Sequence, residues 1–331
     1  MAATVPSYLV RVRPKEGQSL SSWRQDAAMA NGYDIYPVPR GALGRVDPDA
    51  GANPAELDWL ARTHRVDLQT IESRTLRAFE GTVFRLARVR CHPPWLLRTR
   101  YSRGWQVPGP QYCPRCLAEA QGAYFRTSWR LGFATLCPVH LCEVLDRCPA
   151  CGAGVWPVGA TVRQLFEVDE PPDYRCCIRC GFPLSAAPTK QLVASQEAAR
   201  WATSLIAGSP QELSTHLSVA SVDYLQALDA ICHLFIRKSA RRQILLGPAV
   251  WAEAARSLAL GRFTNQVEFL GVEDRRTLID VARPLLCEWP EAFVEFARQT
   301  ALSRVHFSGA ERGMPEWMMS AVHQNLRKQV R

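Results

Sequence analysis

Within residues 113–180 the chain contains Cys113-Pro-Arg-Cys116, Cys137-Pro-Val-His140, Cys148-Pro-Ala-Cys151 and Cys177-Ile-Arg-Cys180. In each pair, two residues separate two side chains of the types that bind zinc, and such a pair forms one edge of a tetrahedral Zn²⁺ site. Four pairs therefore complete two sites in which protein side chains fill every position. Because no position is left for water or substrate, we predict two structural zinc ions that build a scaffold for recognition.

The sequence leaves open how the four pairs combine. Sequential pairing places Cys113, Cys116, Cys137 and His140 in one site and Cys148, Cys151, Cys177 and Cys180 in the other, whereas interleaved pairing joins the first pair to the third. We favour sequential pairing because the gaps of 20 and 25 residues can each hold a hairpin or a short helix. Two ligand choices also stay open, since Cys142 competes with His140 and Cys176 competes with Cys177. Spacing favours His140 and Cys177.

Composition places the chain among folded proteins of two or three compact units, with 331 residues, 47% hydrophobic and 21% charged. No apolar run reaches the roughly 20 residues that cross a bilayer, and the first residues lack the apolar core of a signal peptide. We therefore expect a protein of the cytoplasm or nucleoid, with no membrane partner. Nine of the twelve cysteines lie between residues 113 and 180, a pattern typical of thiolates on metal rather than of disulfides.

The formal net charge is +9, and the positive charge concentrates in one stretch. Between Arg85 and Arg130 there are nine arginines and one acid, Glu119. Arginine suits bidentate contacts to phosphate, so we predict contact with nucleic acid, first of all through Arg98, Arg100 and Arg103. The alternative is an arginine-rich surface that only faces solvent.

Residues 57–79, LDWLARTHRVDLQTIESRTLRAF, have the layout of a helix-turn-helix. Leu57, Leu60 and Ala61 are expected to pack inward, with Val66 in the turn and Ile71 anchoring a second helix that starts at Asp67 and continues to Phe79. The positions of that second helix predicted to meet DNA or a partner are Gln69, Thr70, Ser73, Arg74 and Arg77. The alternative is an ordinary helical hairpin.

The predicted fold class is mainly α with small β elements at the zinc knuckles. Residues 1–110 form an N-terminal helical region with the candidate helix-turn-helix, 111–187 the two-zinc module, and 188–331 a C-terminal helical domain. Ser19 and Asn31-Gly32 bound a first helix over residues 20–30. Helical periodicity predicts C-terminal helices over residues 195–206, 222–235, 248–259, 274–282 and 290–300.

Motifs of common enzyme classes are missing from the sequence. It contains no GxxxxGK phosphate loop, no HExxH metalloprotease motif and no HxE of the zinc deaminases. With both zinc sites closed, we expect a protein that is not an enzyme.

Six segments together have the sequence pattern of one protein family: residues 112–116 (YCPRC), 124–133 (YFRTSWRLGF), 137–140 (CPVH) and 145–152 (LDRCPACG), together with 10–14 (VRVRP) and 16–23 (EGQSLSSW). These segments resemble the TniQ family of transposition targeting proteins. The resemblance implies an adaptor that links a target to an AAA+ transposition ATPase. The target is a DNA site or a Cascade-type CRISPR RNA-guided effector complex on DNA. The resemblance also implies a homodimer, and it makes residues 124–133 a framework in which Trp129 packs in the core.

Family members that read DNA sites directly are longer than this chain, which by resemblance favours the adaptor role. The alternative function is a sequence-specific, zinc-containing helix-turn-helix protein such as a transcription factor. It requires enough surface to read a defined operator.

Overall fold

The computed structural model describes residues 10–32, 47–51, 54–85, 93–97, 109–119, 123–155, 173, 175–191, 195–213, 217–261, 266–307 and 313–327. The chain forms two compact units. The first comprises Met1–Phe79, Arg98–Arg130 and Leu136–Ser195, and the second comprises Glu80–Leu97, Leu131–Thr135 and Gln196–Arg331. Both units are mainly helical, which confirms the predicted class at that level. The three predicted domains have different boundaries from these units and stay a prediction.

Helix α1 of the first unit spans Leu20–Ala30, as the sequence predicts. The side chain of Ser19 accepts a hydrogen bond from the backbone N–H of Ser22 at 3.2 Å, and so satisfies a donor that has no partner inside the helix. At the other end Asn31 is the C-cap, and Gly32 has a positive φ of 73° that ends the helical path. Local residues therefore set both ends of α1.

Three short helices follow in the first unit: α2 (Pro48–Gly51), α3 (Pro54–His64) and α4 (Leu68–Glu72). The prediction that the helix after Asp67 continues to Phe79 is wrong, because α4 ends at Glu72 and a separate 3₁₀ helix covers Leu76–Phe79. The Thr75 hydroxyl donates to the Glu72 carbonyl at 2.7 Å, and the Arg74 carbonyl accepts from the N–H of Leu20 at 2.8 Å. The carbonyls of Glu72 and Arg74 therefore accept hydrogen bonds other than those of a continuing α-helix.

One apolar cluster joins α1, α3 and α4. Its fully buried members include Trp23 of α1, Leu57 and Leu60 of α3, and Ile71 of α4, while Val66 packs against it from the turn. The inward-facing residues predicted from the sequence therefore do pack together. That these helices form a helix-turn-helix that binds DNA remains a proposal.

Buried ion pairs also tie the first unit together. The guanidinium of Arg130, with a side chain 3% exposed, lies 2.5 Å from the carboxylate of Asp47 and 3.3 Å from that of Asp49. Asp49 in turn accepts hydrogen bonds from the N–H and the hydroxyl of Ser21 at 2.7 and 2.8 Å. Arg130, at the end of the 3₁₀ helix Thr127–Arg130, is thereby connected to α1 and α2.

The second unit is built from longer helices. They are α6 (Ser195–Ile206), α7 (Ser221–Ile236), α8 (Lys238–Leu246), α9 (Ala249–Ser257), α10 (Val272–Cys287), α11 (Glu291–Gln299) and α12 (Glu316–Asn325). The five helices predicted after residue 188 are confirmed, with ends that differ by up to five residues. Helices α8 and α12 were not predicted, and neither was the antiparallel hairpin of β1 (Gln211–Leu213) and β2 (Leu217–Val219). Among the described residues, no helix combines the length and apolar character needed to cross a membrane.

A buried arginine organises the core of the second unit. Arg275 of α10 is 0% exposed, and its guanidinium donates to the carbonyls of Gly132, at 3.0 Å, and Leu270. The N–H of Gly132 donates to the carbonyl of Trp95 at 2.7 Å, and Trp95 is itself fully buried. Residues 93–97 and 131–135 are thereby fixed against α10.

Candidate metal centres

The last three ligand pairs lie in loops of one common shape. In each loop a β-bridge joins the residue before the first ligand to the third residue after the second ligand: Leu136 to Glu143, Arg147 to Gly154, and Cys176 to Pro183. Each loop also has a backbone hydrogen bond to the carbonyl of its first cysteine, at 2.9, 2.9 and 2.7 Å. These contacts close the loop and turn both ligand side chains to one side. The small β elements predicted at the zinc knuckles occur as these bridges.

The residue after the second ligand of these loops has a left-handed backbone. Its φ is 69° at Gly152, 72° at Gly181 and 51° at Leu141. Glycine takes this conformation freely, whereas a residue with a Cβ atom is disfavoured by about 1–2 kcal/mol. Glycine at 152 and 181 therefore avoids a steric cost in these loops, whereas Leu141 adopts the same backbone conformation despite that cost.

The first ligand pair is helical instead. Helix α5 (Pro114–Ala118) starts directly after Cys113, and Pro114 suits the first helical turn because it has no N–H to leave unpaired. Tyr112 and Leu145 exchange backbone hydrogen bonds of 2.7 and 2.8 Å. That pairing holds the first pair beside the segment carrying the second pair.

In the first cluster, here called site one, the donor atoms of Cys113, Cys116, Cys137 and His140 all lie within 4.8 Å of one another. The Sγ atoms of Cys116 and Cys137 are 3.6 Å apart. The Nδ1 atom of His140 lies 3.5 Å from Sγ of Cys113, 3.3 Å from that of Cys116 and 3.6 Å from that of Cys137. These four donors come from the first two pairs, which is the sequential grouping.

The spacing of these donors matches zinc. With Zn–S near 2.3 Å and Zn–N near 2.0–2.1 Å, a tetrahedral ion places two sulfurs about 3.8 Å apart and a sulfur and a nitrogen about 3.6 Å apart. The distances of 3.3–3.6 Å in site one lie close to both values. Three thiolates and one imidazole are also a donor set that zinc takes in structural sites. Site one can therefore hold one Zn²⁺ with no open position.

The histidine of site one is held by a carboxylate. While Nδ1 faces the three sulfurs, Nε2 of His140 lies 2.9 Å from Oε1 of Glu119. Glu119 is the residue directly after α5, so the helix that follows Cys113 also delivers this carboxylate. The His140 side chain is 12% exposed and that of Glu119 is 45% exposed.

A fifth donor, Cys142, lies beside site one. Its Sγ is 3.6 Å from Sγ of Cys113, and the residue is 0% exposed. The four-donor group nevertheless contains His140 and not Cys142. Cys142 is therefore placed to contact the thiolate of Cys113 from outside.

The second cluster, here called site two, has Cys148, Cys151, Cys177 and Cys180, again with all donors within 4.8 Å of one another. The Sγ atoms of Cys148 and Cys180 are 3.6 Å apart, as are those of Cys151 and Cys177. Cys177, and not Cys176, is in the group. Site two is the more open of the two, because Cys180 is exposed while the three cysteines of site one are buried.

The segment from α4 through the 3₁₀ helix Leu76–Phe79 exposes fewer of the predicted contact residues than expected. Gln69, Ser73 and Arg77 are exposed, whereas Thr70 and Arg74 are half-buried. The Thr70 hydroxyl donates to the carboxylate of Asp67, so it is part of the helix cap. The surface available to a partner is thus formed by Gln69, Ser73 and Arg77.

The arginines between Arg85 and Arg130 lie in different environments. Arg98, Arg100 and Arg103 lie outside the described residues, as do Arg88 and Arg90. Arg130 is buried in its ion pairs, so it cannot contact phosphate. Arg85 pairs with Asp223 at 2.7 Å, and Arg126 stacks 5.1 Å from the ring centre of Tyr124. Trp129 is 4% exposed, which confirms its predicted packing in the core.

Two parts of this arrangement were missed from sequence. Glu119 carries a signal, because it is the single acid among nine arginines, yet its partner His140 lies 21 residues away. The ion pairs of Asp47 and Asp49 with Arg130 have no signal in the sequence, because these residues lie more than 80 positions from Arg130.

Fold and clusters together define a class: a mainly helical protein with one Cys₃His and one Cys₄ cluster, both able to hold a structural metal ion. Within that class, residues 9–144 match the model of the TniQ family. The match confirms the resemblance drawn from the sequence over this span and associates the chain with transposition. It includes all four donors of site one and ends before Cys148. A search of curated proteins finds no match for the chain.

Proposed function

We propose that this chain is a target-selection adaptor for transposition. It joins a target, either a Cascade-type CRISPR RNA-guided effector complex on DNA or a DNA site, to an AAA+ ATPase that regulates the transposase. The observation that carries the proposal is the TniQ match over residues 9–144. That span holds the helical cluster of α1, α3 and α4 together with site one.

The proposal assigns a scaffolding role to zinc. Each cluster supplies four protein donors, so a bound ion has no position for a reacting water or substrate. Apparent binding free energies of structural zinc are about 10–16 kcal/mol, and this energy contributes to folding where the site does not exist in the unfolded chain. Zinc therefore holds the loops of the first unit in shape, and no catalytic step is assigned to the chain.

The surfaces of the adaptor are proposed as follows. Gln69 of α4, Ser73 at its C-terminal end and Arg77 of the 3₁₀ helix, in a candidate helix-turn-helix, contact the target or its effector complex. Arg98, Arg100 and Arg103 contribute positive charge toward nucleic acid. The working protein is a homodimer of the cytoplasm or nucleoid.

A sequence-specific DNA-binding protein is the alternative. A five-residue helix such as α4 is only about 7.5 Å long, which leaves little surface to read several base pairs. This length favours the adaptor role over an autonomous reader.

The test measures two interactions of the zinc-loaded full-length protein. One is its affinity for random and genomic duplex DNA across a salt series, and the other is its binding to the AAA+ ATPase encoded in the same mobile element. We expect ATPase binding, with weak DNA binding that is lost as salt rises and shows no sequence preference. Tight binding to a few sequences near physiological salt, without ATPase binding, would establish the alternative. The matched variant pair Gln69→Ala and Arg77→Ala locates the contact, with Arg62→Ala on α3 as the exposed control.

A further inference from the structure

The carboxylate of Glu119 has a defined relation to site one. Its Oε1 lies 2.9 Å from Nε2 of His140, whose other ring nitrogen, Nδ1, is within 3.3–3.6 Å of three sulfurs. If Nδ1 donates its lone pair to a metal, Nε2 must carry the ring proton. That proton then points at a carboxylate oxygen at hydrogen-bond distance.

We propose that Glu119 is a positioning residue for the metal of site one. It accepts the Nε2–H of His140, which holds the ring in the tautomer that exposes Nδ1 and makes Nδ1 a stronger donor. Carboxylates that bind the far nitrogen of a ligating histidine have this effect in metalloproteins generally. The inference depends on site one holding zinc and is independent of any role in transposition.

The placement of Glu119 explains how two distant segments cooperate. The pair Cys113 and Cys116 is on the α5 segment, which ends at Glu119, while His140 comes from the second loop. The segment that supplies two sulfurs therefore also orients the ligand contributed by its neighbour. Site two has four cysteines and no histidine, so within the same unit it is a control site without this interaction.

The test compares metal affinity at the two sites by chelator competition on the full-length protein. Loss of outer partners of this kind lowers metal affinity by about 10–100-fold. Because Glu119 is 45% exposed, we expect Glu119→Ala to weaken site one by about 10-fold, near the lower limit. Glu119→Gln keeps a carbonyl oxygen and should weaken it less. Site two should be unchanged in both variants.

A double-mutant cycle separates positioning from a structural role of the α5 end. His140→Cys converts site one to four sulfurs and removes the N–H that Glu119 accepts. On that background Glu119→Ala should have no effect on metal affinity. An equal loss with and without His140 would overturn the proposal, and so would an unchanged affinity of Glu119→Ala.

A second measurement reports the hydrogen bond itself. In the Co²⁺-substituted protein, the Nε2–H proton of His140 should give a shifted NMR signal that exchanges slowly with water. In Glu119→Ala the signal should broaden or vanish while the cobalt absorption bands remain. Finding the signal unchanged in that variant, or finding no metal at site one of the wild-type protein, would also overturn the proposal.

Discussion

At the scale of single residues, the choice between His140 and Cys142 decides the chemistry of site one. Both side chains lie near the sulfur of Cys113, but of the two only His140 has its donor atom within 3.3–3.6 Å of three sulfurs. We predict that Cys142→Ser retains two zinc ions per chain, whereas His140→Ala retains one bound tightly. Zinc content after dialysis against a weak chelator measures this. The reverse result would make Cys142 the ligand.

His64 predicts a pH dependence at the same scale. It is 2% exposed and stands edge-on to Trp23 at 5.0 Å, and burial, with the nearby charge of Arg11, lowers its pKa from 6.5 to about 4. Because the pKa of His64 is lower in the folded chain, the unfolded chain binds the proton at a higher pH than the folded chain does. The contribution to stability is therefore present above pH 6.5 and is lost as the pH falls toward 4, up to about 3 kcal/mol.

Replacing His64 by Phe should remove this dependence while keeping an aromatic ring against Trp23. The free energy of unfolding of the wild type and of His64→Phe is compared at each pH from 7 to 4, which cancels effects common to both, such as zinc release. The difference should move in favour of the variant as pH falls. A difference that does not change with pH would show that His64 titrates normally in the folded chain.

At the scale of elements, the ion pairs of Arg130 connect the 3₁₀ helix Thr127–Arg130 to α1 and α2. Burial, followed by the charge of Asp47, raises the pKa of Asp49 to about 6, although Arg130 opposes the rise. Removing the guanidinium leaves two carboxylates of 13% and 2% exposure without their cation. We predict that Arg130→Met destabilises the first unit by about 3–5 kcal/mol.

Arg62→Met is the matched control for Arg130→Met. Arg62 pairs with Asp58 at 2.6 Å, but the two side chains are 73% and 53% exposed, so the pair contributes less than about 1 kcal/mol. Denaturant unfolding of both variants measures the contrast. Similar losses in the two variants would mean that burial does not govern the Arg130 pairs.

Helices were predicted correctly where the residues that define their ends lie within the helix or directly beside it. Helices α1 and α6 were predicted to the residue, because caps and periodicity lie within the segment. Helix α4 was predicted too long, because the Arg74 carbonyl is taken by the N–H of Leu20, 54 residues earlier in the chain. Helix α8 was missed because it buries only Ala240 and Ile244, so its apolar pattern is weak.

For the whole molecule, the difference in exposure between the two sites predicts an order of metal loss. Cys180 is exposed and Cys151 half-buried in site two, while Cys113, Cys116 and Cys137 of site one are at most 1% exposed. A chelator or alkylating reagent therefore reaches site two first. We expect the first zinc equivalent to leave with alkylation of residues 148–180, and the second with alkylation of residues 113–137.

Zinc release followed colorimetrically, with mass spectrometry of the alkylated peptides, distinguishes the outcomes. Cys287 is exposed and unconnected with either cluster, so its labelling gives the rate of an unprotected thiol. Simultaneous loss of both ions would show that the sites unfold together and that surface exposure does not set the order.

The sequence alone predicted the four ligand pairs from their two-residue spacing, because a zinc knuckle is a local structure. It left open the choices between His140 and Cys142 and between Cys177 and Cys176. A proline follows the first cysteine in three pairs and a glycine follows the second in two, and each acts only on the loop to which it belongs. Tertiary structure alone decided the sequential grouping, the carboxylate of Glu119 on His140 and the burial of Arg130. These features join residues that are between 21 and 83 positions apart, and whether such residues meet depends on packing that no local pattern records.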